Sequence, residues 1–163
     1  MVDISTVSIV IAAASVVAGV IYYSFQLRHQ TKTRQTDLII RLYSTYGSNE
    51  FREALLKVWN VQSKDYEDFV KKYGSWTFEG PVQKAMAMVG VFFEGIGVLL
   101  YKKLIDPSLT YDLFNTPIRL CWEKCKPVFL GLRKQYNDPT VFMWSEYLYN
   151  EMQKREQRLQ QIQ

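Results

Sequence analysis

Residue types that could carry chemistry are few in this chain, and they are poorly assembled. Glu94 stands among Phe92, Phe93 and Ile96 in an otherwise apolar run. A carboxylate in that setting must find a cation or hydrogen bonds, or else take up a proton. Arg119, Lys124 and Arg133 are the candidate cations, with Trp122 or a tyrosine hydroxyl as an alternative donor. The expected role is a structural tie between helices that also involves Arg119 and Trp122. General acid–base work is the rival, because perturbed carboxylates gather at active sites. The two cysteines, Cys121 and Cys125, lie four apart, with the single histidine, His29, far away. Two sulfurs do not complete the four-ligand set of a structural zinc. Buried structural thiols are the expected reading, and a paired-cysteine site shared between two copies is the other.

The remaining templates fail one by one. Asp65, Glu67 and Asp68 form an acidic cluster without histidines, as at a solvated helix start. Gly90, Gly95 and Gly97 lie inside an apolar helix rather than in a phosphate-binding loop. A Ser–His–Asp or Cys–His pair would depend on His29, which sits beside a long uncharged stretch. The expectation is a protein that is not an enzyme, with no catalytic, cofactor-binding or metal-ligating residue and no small-molecule substrate.

What must position all of these begins with that stretch. Ile4 to Leu27 carries no formal charge. As a helix it extends about 36 Å, enough to cross a hydrocarbon core of about 30 Å. Met1, Val2 and Asp3 provide no basic leader region, and Tyr22, Tyr23 and Phe25 make a poor cleavage site but a good membrane-interface belt. An uncleaved anchor is therefore expected. Arg28, Lys32, Arg34 and Arg41 come after it, which predicts a single-pass plasma-membrane protein, N-terminus outside, with the large C-terminal domain cytoplasmic. The same cations suit anionic lipid headgroups. Ser8, Ala12, Ser15 and Gly19 recur at steps of four, three and four, a small-residue face suited to docking a partner's transmembrane helix or a second copy.

All 20 basic residues and 15 of the 16 acids lie after the anchor, so the remainder carries about +5. That excess is spread out and has no nucleic-acid motif attached, so no nucleic-acid partner is expected. At 48 % hydrophobic and 15 % aromatic residues, the chain has the means for a packed core. No segment alternates with a period of two between hairpin turns. The predicted fold is all-α: one N-terminal transmembrane helix and then a cytoplasmic bundle of about five to six helices. The divisions are 1–27 (tail and anchor), 28–46 (basic juxtamembrane helix), 47–153 (helical domain) and 154–163 (polar helical tail, expected to project or fray without a partner).

Within the domain, Leu38, Ile39, Leu42, Tyr43 and Tyr46 make one buried face, and Gly47 is expected to end that helix as a left-handed cap. Ser48 and Asp65 start two further helices, Gly74 stops the second, and Trp76 and Phe78 pack down a loop. Pro81 opens a helix to Lys103 that is apolar almost all round. A mid-helix Glu94 argues against a second span, so it reads as the core of the domain. Close approach of a neighbouring helix is expected to offset the cost of Gly90, Gly95 and Gly97. Asp106-Pro107, Asn115-Thr116-Pro117 and Asp138-Pro139 are read as three separate helix starts.

The segment Val89 to Arg133 resembles a family of small prokaryotic proteins of unknown function. The features that carry it are Phe92-Phe93-Glu94 with Gly97, the turn Leu104-Ile105-Asp106, Phe114, Trp122, Pro127 and Arg133. That resemblance implies an N-terminal membrane helix and an α-helical cytoplasmic domain, and it supplies no catalytic residue. The functional expectation is a non-catalytic accessory or scaffold subunit of a membrane complex. The alternative is a self-associating sensor or adaptor, and the third reading is an enzyme using Glu94.

Overall fold

A computed structural model describes residues 3–77 and 79–161; the expected packing of Phe78 lies outside them. The described residues are all-α, with six helices and no strand. The chain divides into two units, Met1–Leu38 and Ile39–Gln163.

The first helix, α1 (Ile4–Tyr46), is unbroken across the uncharged stretch and the basic segment. In the first unit the described side chains are exposed almost throughout. Its serines and threonines fold back on their own helix: Ser8 Oγ donates to the Ile4 carbonyl at 3.0 Å and Ser15 Oγ to that of Ile11 at 2.8 Å. Such back-bonding removes the cost of presenting a hydroxyl to an apolar medium. Among the described residues, two helices are long and apolar enough to cross a membrane, one near the N-terminus and α4 (Pro81–Tyr101). They differ in cover: the most apolar window of the first has no buried residue, whereas α4 packs on three neighbours.

In the second unit α1 ends at Tyr46, as the periodicity predicts, but Gly47 is not left-handed. Instead its N–H reaches the Tyr43 carbonyl at 2.9 Å, and the Ser48 N–H that of Thr45 at 3.1 Å. Ser48 then caps α2 (Asn49–Trp59) by accepting from the Phe51 N–H, and Asp65 caps α3 (Tyr66–Tyr73) by accepting from that of Asp68. Gly74, at φ 89°, stops α3 as expected. Gln83, which sequence reasoning passed over, is buried and donates to the Tyr73, Gly74 and Ser75 carbonyls, tying that turn to α4.

Helix α5 (Pro107–Tyr136) corrects the expectation of two helices here, because it runs on through Pro117 and Pro127. Each internal proline costs about 3 kcal/mol of helix stability. Burial of Pro117, Ile118, Cys121, Trp122, Cys125, Val128 and Phe129 along the same face offsets that cost. Helix α6 (Met143–Gln160) packs on α4 and α5. It includes most of the tail expected to project, and Arg155 fastens that tail, donating to Ser108 Oγ at 2.5 Å and lying over the Tyr111 ring.

The core is centred on α4, which packs chiefly between α2 and α6, with rings filling the gaps. Phe51 meets Phe92 at 4.5 Å between centroids, and Phe129 stacks on Phe142 at 3.8 Å. α4 is not enclosed all round: Val91 and Gly95 lie on a face open to solvent.

Candidate functional site: the seat of the last helix

Asp138 fails to start α6, and the reason locates the site. Its carboxylate accepts from both the N–H and the hydroxyl of Thr140, at 2.8 and 2.6 Å. Both bonds end on Oδ1 and bind it in a local turn, and those donors hold the carboxyl below the usual carboxylate range. The helix begins five residues later. Its N-cap position falls to Phe142, at φ 52° with no side-chain cap of its own.

The cap comes instead from α4. Glu94 Oε1 accepts from the Trp144 N–H at 3.1 Å, and Oε2 from the Ser145 N–H at 2.7 Å. A carboxylate at a helix N-terminus satisfies two donors that have no partner within the helix and meets the positive end of the dipole. Ser145 Oγ returns a bond to the Gly90 carbonyl at 3.2 Å. This corrects the expected partners of Glu94, since no ion pair joins it to Arg119, Lys124 or Arg133 among the described residues. Glu94 is half-buried rather than enclosed, as is Arg119, whereas Trp122 is buried against Phe129 and Tyr149.

Gly90 and Gly97 permit this approach. A Cβ at Gly97 would overlap the Trp144 carbonyl, and one at Gly90 would stand 2.6 Å from the Phe142 ring. Gly95 has no such neighbour, so close approach explains two of the three glycines. Arg133 braces the same end from α5. It donates to the Val141 carbonyl at 2.8 Å and pairs with Glu146 at 2.6 Å. Stacking of Phe142 on Phe129 helps to offset the left-handed backbone that a bulky residue otherwise avoids.

A family model described as a domain of unknown function (DUF4760) matches residues 8–152. The chain belongs to the DUF4760 family. No curated protein and no solved structure matches it. The match takes in most of the apolar stretch and the helical domain together, the two parts that the sequence resemblance implies.

In this DUF4760 chain the residues most suggestive of chemistry, Glu94 and Arg133, both end on the first turn of α6. Sequence spacing hides this because Glu94 lies fifty residues from its partners. Chemically, the arrangement holds a helix in place: both Glu94 oxygens are occupied by main-chain donors. No cluster of three or more histidine, cysteine, aspartate or glutamate side chains suited to a metal exists among the described residues.

The cysteines are free and buried. Burial pushes the Cys121 thiol up to about 12 and Cys125 well above its ordinary range. A raised folded-state pKa makes the contribution to stability complete below the unfolded value of 9.0, and it is lost as pH rises toward about 12. Two results are expected. Iodoacetamide at pH 8 modifies neither cysteine until denaturant is added, and the unfolding midpoint falls progressively above pH 9. Rapid native labelling would contradict this placement.

Proposed function

We propose that this DUF4760 chain is a non-catalytic, single-span accessory or scaffold subunit of a larger membrane complex. Its N-terminus lies outside the plasma membrane and its helical domain in the cytoplasm. The observation that carries the reading is the uncovered α1: an uncharged run from Ile4 to Leu27, exposed along its described length. An apolar helix of that extent is unsustainable in water and calls for lipid or other helices around it. Arg28, Lys32, Arg34 and Arg41 favour the cytoplasmic side for the helical domain and attract anionic headgroups.

Ser8, Ala12, Ser15 and Gly19 supply the docking face. The two hydroxyls are already bonded within the helix, and a Cβ at Gly19 would meet nothing within 4 Å, so a neighbouring backbone has room to close in. Both oxygens of Glu94 are engaged by backbone donors, which suits a structural cap and leaves the reading without a catalytic carboxylate at that position.

Alkaline carbonate washing of membranes should leave the full chain in the pellet, and mild detergent should release it within a larger assembly. Release by carbonate would overturn the anchor. Migration as a monomer would overturn the accessory role, and as a pure homo-oligomer would favour the self-associating adaptor.

A further inference from the structure

A groove of about 400 Å³ lies where the C-terminal end of α4 and the start of α5 meet the second half of α6. Leu100, Tyr147 and Met152 give it an apolar floor. Its rim carries four cations, Lys103, Lys154, Arg155 and Arg158, against the single carboxylate of Glu151. That carboxylate pairs with Lys154 at 2.7 Å, so the rim keeps a net excess of three positive charges, four less one. Arg155 is anchored by Ser108 and Tyr111, yet its Nε is buried without a partner.

Lys103 adds an independent sign. The Leu104 N–H bonds to the Leu99 carbonyl and the Lys103 N–H to that of Leu100, at 2.9 and 3.0 Å. This pair of bonds ends a helix around one left-handed residue, a position usually given to glycine. Lys103 fills it at φ 57°. By contrast, the matching position after α5 holds Asn137, a residue that tolerates this backbone. Lys103 thus holds a strained backbone position on the rim of the groove.

We propose that this groove binds the phosphate-bearing headgroup of an anionic phospholipid, the cations taking the phosphate and the apolar floor taking the adjoining glycerol and first methylenes. Electrostatic complementarity selects the anion, and the floor selects an amphiphile over a bare one. The lipid source rests on the membrane-anchored reading, since a tethered domain meets headgroups at high effective concentration.

The test is native mass spectrometry of the full chain in an uncharged detergent, with phosphatidylglycerol, phosphatidylcholine of the same acyl chains, or inorganic phosphate added. Phosphatidylglycerol should be retained roughly tenfold more than phosphatidylcholine. The double variant Lys154→Ala/Arg158→Ala should remove that preference with the circular dichroism spectrum unchanged. Arg28→Gln/Lys32→Gln/Arg34→Gln should leave it in place. Lys103→Gly should raise Tm while lowering retention. Equal retention of the two lipids, equal retention by the double variant, an unaltered Lys103→Gly, or phosphate held as well as the lipid would each overturn the proposal. A chain that washes off membranes yet retains phosphatidylglycerol would remove the anchor and leave the groove standing.

Discussion

Replacing Gly97 by alanine is expected to destabilise the domain by about 2 kcal/mol, while Gly95→Ala, two positions away on the same helix, stabilises it by about 0.5–1 kcal/mol. Both changes gain the same helix propensity, about 1 kcal/mol relative to glycine. They differ in what the new methyl meets. At Gly95 it enters open space, whereas at Gly97 it meets the Trp144 main chain. A carbonyl in the first turn of α6 cannot swing aside as a side chain does, so the helix must move. Displacing it also lengthens the bonds from Trp144 and Ser145 to Glu94. Overpacking of this kind costs up to about 3 kcal/mol, which exceeds the propensity gain. Urea denaturation monitored by circular dichroism measures both variants, and the same sign for the two would contradict the packing described.

Glu94→Ala should cost about 2–3 kcal/mol, and Glu94→Gln about 1 kcal/mol. Alanine leaves the Trp144 and Ser145 N–H groups without acceptors in a half-buried place. Glutamine keeps one oxygen for one of them but gives up the negative charge that suits a helix N-terminus. The order wild type, glutamine, alanine is the signature of a cap. Equal losses in the two variants would indicate that the charge alone matters, and no loss in either would remove Glu94 from the seat.

Much of the architecture is legible in the sequence because local chemistry decides it. Ser48, Asp65 and Asp106 start helices where side-chain oxygens meet main-chain donors three residues on, and Gly74 stops one by a backbone only glycine adopts readily. The errors arise where distant residues decide. Pro117 looks like a helix start, yet burial of its flanking face keeps α5 continuous. Asp138 has the composition of a cap, but its Oδ1 accepts both donors of Thr140 and a residue from another helix caps α6 in its place. Glu94 could be recognised as a tie; its partners could not, because main-chain donors leave no trace in residue type. Arg155 illustrates the same limit. A polar tail reads as free until Ser108 and Tyr111 are brought beneath it.

Glu94 fastens the first turn of α6 to α4 through the Trp144 and Ser145 amides. Amide hydrogen exchange at Trp144 and Ser145, in wild type and in Glu94→Gln, tests it most directly. Strong protection in the wild type, with a selective loss at these two amides in the variant, is the predicted result. Wild-type exchange as fast as that of an exposed loop, or a variant in which these amides are unchanged, would contradict it.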